Sequence, residues 1–421
     1  MASVGVIGAG IVGACCALAL LDDGHQVTLI EPDEPGGPQA ASYGNGAWLG
    51  TASFVPMSIP GLWKKLPGYL LDSNGPLVIR PWALARLAPW LYRFIASGRR
   101  VEQVQATARA LHALLDQAPA SHASLAQATG AGELILQAGL TYAYPTRADF
   151  TAEALAWRLR SDHGLAWREL DRDTLQSHTP GLSSSYTFGI EVPTGGHCRD
   201  PGAYVNALSA LALARGAQCV KARASGLTIQ SGQLRAIRTT AGTVEVDVAV
   251  ISAGIDSGAL ACAAGSRIPL ESERGYHVVL PAAGLTMRTP LMPSDGKMAV
   301  TLTREGLRIS GQVELASRSA LPDWRRADVL LGHARRLFPA LALPGSSAEV
   351  ARWMGHRPST PDGLPVLGPA AECPQVFCAF GHGHVGLASA PASASLIADL
   401  VAGRSPRIDP TPYRAGRFKG R

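Results

Sequence analysis

The sequence lacks the motifs of several common enzyme classes. It contains neither the GxSxG motif of serine hydrolases nor the GxxxxGK[ST] loop that binds nucleotide phosphates. Its seven cysteines are scattered, with no CxxC pair and no zinc-ligand spacing. Serine hydrolase, P-loop and structural zinc functions are therefore not indicated, and the scattered cysteines favour a reducing compartment.

Long apolar runs and a secretion signal are also absent. No uninterrupted apolar stretch reaches about 18 residues, and no charged segment followed by an apolar region opens the chain. We therefore expect a cytoplasmic protein, with peripheral contact at the inner face of the cytoplasmic membrane as the alternative. The 421 residues, 47% hydrophobic and 17% charged, have the composition of a folded protein of two or three domains.

The formal net charge of +6 is not concentrated in a nucleic-acid-binding pattern of interleaved basic and aromatic residues. We therefore expect no nucleic-acid partner. The basic residues cluster only in the C-terminal tail, where a solvated tail and a membrane-surface contact are both open interpretations. That cluster consists of Arg404, Arg407, Arg414, Arg417, Lys419 and Arg421.

The N-terminal segment has the order of a dinucleotide-binding βαβ unit. Residues 4–7 predict an apolar strand, which leads into the glycine turn GAGIVG at 8–13 and a helix to residue 21. Residues 26–30 predict the second strand, and Glu31 follows it, roughly 20 residues after the glycines. The combination is more specific than a glycine motif alone.

Each position in this unit has a physical role. Gly8 permits the tight turn, Gly10 lets the backbone approach a pyrophosphate, and Gly13 lets the helix pack close to the strand. The helix N-terminus offers free N–H groups to the phosphates. Glu31 can accept hydrogen bonds from ribose hydroxyls and would repel a 2′-phosphate, so NADP is disfavoured.

Two further segments favour FAD over NAD. Residues 36–47 are rich in small and turn-forming residues, and Ser42 and Asn45 could contact an extended cofactor, with a surface turn as the alternative. A second glycine cluster, FGHGHVGL at 380–387, follows a predicted strand at 375–379 and precedes an alanine-rich helix at 388–401. His382 and His384 lack further ligands, so we predict no metal site.

At this point the chain resembles the FAD-dependent oxidoreductases of the D-amino-acid oxidase superfamily, and within it the D-amino acid dehydrogenase branch. The resemblance covers nearly the whole length and depends on the order and spacing of the matching motifs. These are GAGIVG with Glu31, SYGNG at 42–46, DP at 200–201, SAGIDS at 252–257, RGYH at 274–277, Gly311 with EL at 314–315, WMGHRPSTPDG at 353–363 and GHGHVG at 381–386.

The resemblance implies an α/β fold in which an FAD-binding Rossmann-like βαβ domain is interleaved with a substrate domain of α+β type, built on an antiparallel sheet. We expect the FAD-binding domain to comprise residues 1–53, 196–265 and 346–421, and the substrate or cap domain residues 54–195 and 266–345. Periodicity further predicts helices, strands and hairpins. The helices are 101–115, 152–162 and 204–215, a strand is 246–252, and the hairpins are 134–144 around Gly139 and 298–313 around Glu305-Gly306.

The expected cofactor-binding residues follow from the motifs above and from the resemblance. They are Gly8, Gly10, Ile11, Val12, Gly13, Glu31, Pro32, Ala41, Ser42, Asn45, Gly46, Ala47, Ala224, Ser252, Ala253, Gly254, Gly381, His382, Gly383, His384, Val385, Gly386 and Leu387. Some relatives attach flavin through a cysteine shortly before the TPD turn. Gly355 stands at that position here, so we expect FAD to be bound non-covalently.

The chemistry that the resemblance implies is hydride transfer from the α-carbon of an amino acid to flavin N5. Such a reaction depends on positioning more than on acid and base groups. A substrate carboxylate in a dry pocket favours a bidentate arginine. Arg357 in HRPSTPDG matches the family's carboxylate-binding arginine, with a structural role at the TPDG turn as the alternative.

Three other residues are candidate catalytic groups. Tyr276 matches the family's active-site tyrosine, with core packing as the alternative, and His384 falls where some relatives place a polar residue near the substrate. Tyr43, together with Trp48, could form a wall of the pocket. The segment 54–95 combines aromatic and basic residues and predicts either a lid that packs its aromatics inward or an interfacial membrane helix.

The favoured function is oxidative deamination of a D-amino acid, cyclic substrates such as D-proline or hydroxy-D-proline included, with electrons passed to a quinone or another carrier. An amine, glycine or sarcosine oxidase that forms hydrogen peroxide is the alternative. A flavin-dependent hydroxylase, faintly suggested by Pro361-Asp362-Gly363, and a non-enzymatic flavin sensor are less favoured.

Overall fold

The computed structural model describes residues 1–62, 68, 72, 74–281 and 285–418. Two sheets dominate it, and their strands alternate along the chain. The strands of the described residues are β1 (Ser3–Ile7), β2 (Gln26–Ile30), β3 (Trp48–Leu49), β4 (Leu77–Ile79), β5 (Ile135–Leu136), β6 (Leu140–Tyr144), β7 (Arg168–Asp171), β8 (Phe188–Val192), β9 (Gly196–Cys198), β10 (Gln218–Val220), β11 (Ala224–Gln230), β12 (Gln233–Thr239), β13 (Gly242–Glu245), β14 (Val248–Ile251), β15 (Glu271–Leu280), β16 (Leu291–Pro293), β17 (Ala299–Thr303), β18 (Gly306–Leu315), β19 (Ala351–Ser359), β20 (Val366–Pro369) and β21 (Val376–Phe380).

The α-helices that lie wholly within the described residues pack around these sheets. They are α1 (Ile11–Asp22), α2 (Leu84–Ser97), α3 (Val101–Leu115), α4 (Ala118–Ala128), α5 (Arg147–Thr151), α6 (Ala154–Asp162), α7 (Arg172–His178), α8 (Pro201–Ala214), α9 (Ser257–Ala263), α10 (Arg325–Leu337) and α11 (Gly386–Val401). The predicted helices at 101–115, 152–162 and 204–215 are therefore present, with ends shifted by at most three residues.

The first sheet has the strand order β10-β2-β1-β14-β21-β20. All its neighbouring strands are parallel except the antiparallel pair β20–β21. The parallel strands are nearly continuous apolar runs such as VAVI and VFCAF, as expected for a sheet covered on both faces. The carboxyl ends of β1, β14 and β21 therefore lie side by side, and each leads into a glycine-containing turn.

The second sheet is mostly antiparallel, with the order β19-β15-β18-β17-β16-β6-β8-β7, and β4 pairs with β18. The predicted hairpin of β17 and β18 is present. The edge strand β19 pairs with β15 in this sheet, although the expected boundary at residue 346 places residues 351–359 in the FAD-binding domain. Helices α3 and α4, expected in the cap, share the hydrophobic core of α1 and α11 instead.

The predicted hairpin at 134–144 is wrong. Strand β5 pairs with β9 in a small three-stranded sheet, whereas β6 pairs with β8 and β16 in the large one. Gly139, with a φ of +84°, bends the chain between the two sheets. The alternating pattern predicted two strands correctly, but the tertiary structure chose different partners for each.

The C-terminal tail is docked on the protein as far as the described residues reach. The Tyr413 hydroxyl donates to the carbonyl oxygen of Ala110 at 2.6 Å, and Arg404 pairs with Asp23 at 2.8 Å. Arg417 pairs with Asp362 at 2.7 Å. The tail is therefore docked through Tyr413 and Arg417, whereas Arg404, Arg407 and Arg414 are exposed to solvent. Both interpretations of the basic cluster stay predictions, and Lys419 and Arg421 lie outside the described residues.

One described helical segment, Gly383–Val401, is long and apolar enough to cross a membrane by length and composition. Half of its most apolar window is buried inside the protein, and its residues belong to the main hydrophobic core. A core helix passes the same test, so this segment is weak evidence for a membrane span.

Candidate active site

A cavity of about 1350 Å³ lies between the two large sheets. On one side it is lined by the turns that follow β1, β14 and β21, together with Glu31 and residues 39–42 and 44–46. On the other side it is lined by residues of β15, β17, β18 and β19. Ligands bind outside the carboxyl ends of parallel strands in this type of sheet, so the cavity is the candidate site.

The first glycine turn is held in a shape that side chains would not permit. Gly8 has a φ of +99°, and a Cβ atom on Gly13 would lie 1.8 Å from the carbonyl oxygen of Gly8. The Ser252 hydroxyl donates to the carbonyl oxygens of Ile7 and Gly8, at 2.9 and 3.1 Å. The turn is therefore fixed by backbone contacts, and its free N–H groups face the cavity.

Glu31 and Ser42 accept hydrogen bonds from the backbone at the N-terminus of α1, which borders the cavity. Glu31 accepts a hydrogen bond from the N–H of Ala9 at 2.7 Å, and burial raises the pKa of its carboxyl group. The Ser42 hydroxyl accepts a hydrogen bond from the N–H of Ile11 at 3.1 Å. Helix α1 has no side-chain N-cap and no acidic residue in its first turn. Within the first turn of α1, an anionic pyrophosphate would therefore meet no acidic side chain.

The second glycine turn lies at the start of α11. Gly381 and Gly383 have φ values of +86° and +53°, and α11 has neither a side-chain N-cap nor an acidic residue in its first turn. His382 is buried, its Nε2 lies 3.0 Å from the Ser393 hydroxyl, and burial lowers its pKa to about 4. His382 is therefore neutral near pH 7. Among the described residues no group of three or more histidine, cysteine or acidic side chains is placed to hold a metal ion.

The predicted cofactor-binding residues gather along this cavity with three exceptions. Gly13, Ala47 and Gly381 do not line it and act through the backbone instead. The residues that line it are Gly8, Gly10, Ile11, Val12, Glu31, Pro32, Ala41, Ser42, Asn45, Gly46, Ala224, Ser252, Ala253, Gly254, His382, Gly383, His384, Val385, Gly386 and Leu387. The glycine cradle and the two uncapped helix ends fit an extended dinucleotide such as FAD.

Arg357 points into the cavity from β19. Its Nη1 donates to the carbonyl oxygen of Gln312 at 2.9 Å, and its Nη2 lies 3.4 Å from that of Gly311. Among the described residues no carboxylate lies within 4 Å of the guanidinium. Burial lowers the pKa of Arg357, an effect that nearby Glu273 opposes, and an arginine stays charged in any case. The site therefore presents a fixed cation without an anionic partner.

The alternative role of Arg357 at the TPDG turn is wrong. Arg417 fills it, because its guanidinium pairs with Asp362 and donates to the carbonyl oxygen of Leu364 at 2.7 Å. Arg357 instead crosses strand β15 at Gly275. A Cβ atom at position 275 would lie 2.2 Å from the Arg357 Cζ, so a glycine is required for this path.

A β-bulge at Gln312 creates the carbonyl cradle of Arg357. The pairing of β15 and β18 shifts register between Arg274 and Tyr276, and Gln312 takes a φ of +59°. Bulges redirect backbone groups next to active sites, and a non-glycine residue in this conformation stores strain. No pattern in the sequence predicts this bulge, because GLRISGQVEL alternates as an ordinary strand would.

His384 lines the cavity next to Arg357 and contacts a residue that the motifs did not indicate. Its Nε2 lies 2.6 Å from the Glu273 carboxylate, which is buried in the cavity wall. The bridge between Ser359 and His382 joins the end of β19 to this turn. No signal in ESERGYHVVL singles out Glu273, because its first residues are polar and the burial of the strand is visible only in the structure.

The structure corrects the expected placement of Tyr276 and Tyr43 at the substrate, since neither lines the cavity. The Tyr276 hydroxyl donates to Glu314 and accepts a hydrogen bond from the N–H of Asp323 at 3.0 Å, within a separate core. Tyr43 does not line the cavity, and its ring centroid lies 6.3 Å from those of His277 and Trp353. Tyr276 occupies the strand that the motif predicts but points to the opposite face.

Aromatic and polar residues line another part of the cavity. Trp48 borders it as expected, and its indole N–H donates to the Thr301 hydroxyl at 3.2 Å. Tyr142 packs edge-on against Trp48, with ring centroids 5.9 Å apart. Beyond them Lys297 pairs with Glu153, which also accepts a hydrogen bond from the Tyr144 hydroxyl at 2.9 Å. The wall is thus partly aromatic and partly charged.

Comparisons with known proteins agree with this geometry. Residues 3–400 match the DAO family, described as FAD dependent oxidoreductase. The chain is 45% identical over 415 residues to a D-amino-acid oxidase of Bradyrhizobium diazoefficiens, covering 99% of this chain and 98% of that protein. It is 32% identical over 424 residues to D-amino acid dehydrogenase 2 of Ralstonia nicotianae, covering 98% and 99%.

The fold is also shared with solved structures. Glycine oxidase from Geobacillus kaustophilus superposes with a TM-score of 0.73 at 20% identity, covering 100% of this chain and 99% of that one. At this identity the likeness shows the fold alone. Taken with the cavity, these matches place the chain in the DAO family of FAD-dependent oxidoreductases, as an enzyme that oxidatively deaminates amino acids.

Proposed function

We propose that this protein oxidises D-amino acids, and that Arg357 binds the substrate carboxylate. The observation that carries the proposal is the cavity-facing guanidinium of Arg357, held by two backbone carbonyls and free of any carboxylate partner among the described residues. Bidentate binding by arginine fixes the orientation of a carboxylate as well as its position. The two curated relatives reported above both carry D-amino acid names, which supports the D-stereochemistry.

The protein's own groups contribute mainly by positioning. Arg357 would hold the carboxylate, and the wall formed by β15 and β18 would aim the α-carbon hydrogen at the turn of residues 383–387. FAD supplies the two-electron acceptor for this hydrogen. Holding reactants in such a geometry contributes much of the rate enhancement in reactions of this kind. The imino acid that forms reacts with water to give a keto acid and ammonia.

The side-chain preference follows from the opposite wall. Trp48, Tyr142 and Met292 supply apolar and aromatic surface, which suits small or cyclic side chains such as those of D-alanine, D-proline and hydroxy-D-proline. Lys297 and Glu153 already pair with each other, so neither charge is available for a charged substrate unless that pair opens. We therefore expect neutral substrates to be preferred.

The electron acceptor has two candidates. Molecular oxygen is favoured by the relative at 45% identity, which is named an oxidase. A quinone or another carrier is favoured by the relatives named dehydrogenases and by the surface around α2. Trp82, in the turn before α2, is 67% exposed and Tyr92 on α2 is 70% exposed, while Leu91 and Phe94 on α2 line the cavity. An interfacial contact at α2 would bring the cavity close to a membrane.

This surface bears on the two interpretations of segment 54–95. Trp90 is buried, as a lid requires, whereas Trp82 is exposed, as an interfacial helix requires. Trp63, Lys64 and Lys65 lie outside the described residues. A cytoplasmic location with peripheral membrane contact stays a prediction. Flotation of the purified protein with anionic vesicles tests it, and loss of flotation in Trp82→Ala with Tyr92→Ala would support it.

One panel tests the function. The purified holoenzyme is mixed with D-amino acids, their L-enantiomers, glycine and sarcosine, and both dye reduction and peroxide formation are measured. We expect reduction by D-amino acids, with keto acid and ammonia as products. Reduction by L-amino acids alone would disprove the proposal. A peroxide rate equal to the dye rate supports the oxidase, and a dye rate far above it supports the dehydrogenase.

FAD binding is proposed to be non-covalent. No cysteine is among the described residues that line the cavity, and Gly355 occupies the position at which some relatives carry a flavin-linked cysteine. Acid precipitation should therefore release the yellow colour into the supernatant. Flavin that remains in the pellet after washing would contradict this assignment.

A further inference from the structure

A buried acid stands in the wall of the cavity without a strong cationic partner. Glu273 on β15 is 2% exposed, and its Oε2 lies 2.6 Å from His384 Nε2. A carboxylate only accepts hydrogen bonds, so Nε2 carries the hydrogen in this contact. Its other oxygen, Oε1, forms no hydrogen bond with any described residue. Burying a carboxylate with so few donors is unfavourable unless a ligand completes its shell.

Glu273 and Arg357 are direct neighbours across two strands, yet they do not pair. Their Cα atoms are partners in the β15–β19 ladder. Opposite charges in such positions commonly attract each other across the sheet. Here Gly275 opens a path for Arg357, and its guanidinium reaches the carbonyl oxygens of Gln312 and Gly311 instead. The wall therefore presents a cation and an anion side by side, both facing the cavity.

This arrangement is complementary to a zwitterion. A free α-amino acid carries its carboxylate and its ammonium group on one carbon. Both charges fit a site in which the Glu273 carboxylate and the Arg357 guanidinium, which lies over Gly275 two residues along β15, line the same cavity. Resting on the proposed function, we propose that Glu273 binds the α-ammonium group of the amino acid whose carboxylate Arg357 holds. His384 is a positioning residue that orients the Glu273 carboxylate.

The proposal defines the substrate class. Free primary and secondary α-amino acids present both charges, whereas N-acyl amino acids and 2-hydroxy acids lack the cation and simple amines lack the anion. Two contacts on one carbon also fix which face of that carbon meets the cavity. The site therefore selects zwitterions by placing one charged group against each end, and a ligand with only one charge leaves the other site group buried without a partner.

The test compares D-alanine with propanoate, which has the same carbon skeleton without the amino group. The apparent Kd for D-alanine comes from anaerobic flavin reduction, and the Kd for propanoate comes from calorimetry. In Glu273→Gln we expect D-alanine to bind about 10 to 100 times more weakly, while propanoate changes by less than about threefold or binds more tightly. The matched control is Glu271→Gln, two residues away on β15 and outside the cavity lining, which should leave both ligands unchanged.

His384 is tested by two substitutions. His384→Gln retains an N–H donor near the position of Nε2, whereas His384→Leu does not. We expect the leucine variant to weaken D-alanine binding without affecting propanoate binding, and the glutamine variant to recover at least part of the loss. Equal effects of both substitutions on both ligands would indicate a structural role and overturn the assignment of His384.

Failure of this inference differs from failure of the proposed function. The inference is wrong and the function stands if D-alanine reduces the wild-type flavin but Glu273→Gln weakens the binding of D-alanine and propanoate equally. The same holds if Glu273→Gln changes the binding of neither ligand. If no D-amino acid reduces the wild-type flavin, the proposed function fails and the inference fails with it. If Glu273→Gln does not retain flavin, Glu273→Asp allows the same comparison of D-alanine with propanoate. Aspartate keeps the negative charge but is one methylene shorter, so its carboxylate lies farther from the ligand.

Discussion

The cofactor end and the substrate end of the cavity are formed by different kinds of contact. At the cofactor end, the turn of residues 8–13, Glu31 and Ser42 come from one short stretch of chain, and most of the contacts involve the backbone. At the substrate end, Arg357, Glu273 and Gln312 come from three neighbouring strands and act mainly through side chains and a bulge. A diphosphate site of this kind therefore depends on local chain geometry. A small-substrate site depends on the strand register that brings distant side chains together.

The largest expected effect comes from a side chain in the first glycine turn. In Gly13→Val the Cβ atom would lie 1.8 Å from the Gly8 carbonyl oxygen, so α1 has to move away from β1. We expect the purified protein to contain no flavin, as measured by its absorbance spectrum. The matched control is Gly332→Ala on α10, where a Cβ atom has no neighbour within 4 Å. Full flavin content in Gly13→Val would show that the close approach is not required.

The next largest effect is expected at Arg357. Removing its charge in Arg357→Met should lower kcat/KM for a D-amino acid by about two to three orders of magnitude, since the substrate carboxylate loses its partner. Flavin content should stay normal, because Arg357 serves the substrate end. Arg352→Met on the same strand, where the guanidinium stacks on Trp324, is the control and should keep its activity. Comparable losses in both variants would argue for a general effect on β19.

A smaller loss is expected from Gly275→Ala. Its Cβ atom would lie 2.2 Å from the Arg357 Cζ and displace the guanidinium from the carbonyl cradle. We expect kcat/KM to fall by about 10 to 100 times, because small displacements of a positioning group have large kinetic effects. Steady-state kinetics and flavin content together check this. An unchanged kcat/KM would mean that Arg357 reaches the substrate by another path.

The smallest kinetic effect is expected at Tyr276. The tyrosine hydroxyl contacts Glu314 and Asp323 away from the cavity, so Tyr276→Phe should change kcat/KM by less than about threefold. It should lower the free energy of unfolding by about 1–3 kcal/mol, because two buried groups lose a hydrogen bond. Denaturant unfolding and kinetics measure the two effects. A tenfold loss of kcat at unchanged stability would show that Tyr276 acts on the substrate after all.

The sequence predicted the cofactor end far better than the substrate end. The motif positions at 8–13, 31, 42–46 and 381–387 reach the cavity or shape its turns, because local glycine conformations follow from the residue type. Tyr276 was misplaced because a motif fixes the strand but not the face that each side chain takes. Tyr43 was misplaced because its ring leaves a turn towards His277 and Trp353. Glu273 was missed because its partner His384 lies more than a hundred residues away.

By itself the sequence determined the cofactor class, the reaction class and the arginine that we propose binds the substrate. Only the tertiary structure decided that Arg357 crosses Gly275, that Arg417 and not Arg357 holds the TPDG turn, and that a buried acid stands beside the cation. The physical reason is the distance along the chain between the residues that cooperate. Backbone turns depend on a few consecutive residues, whereas a charge-matched pocket depends on register and a bulge between strands that are distant in the chain.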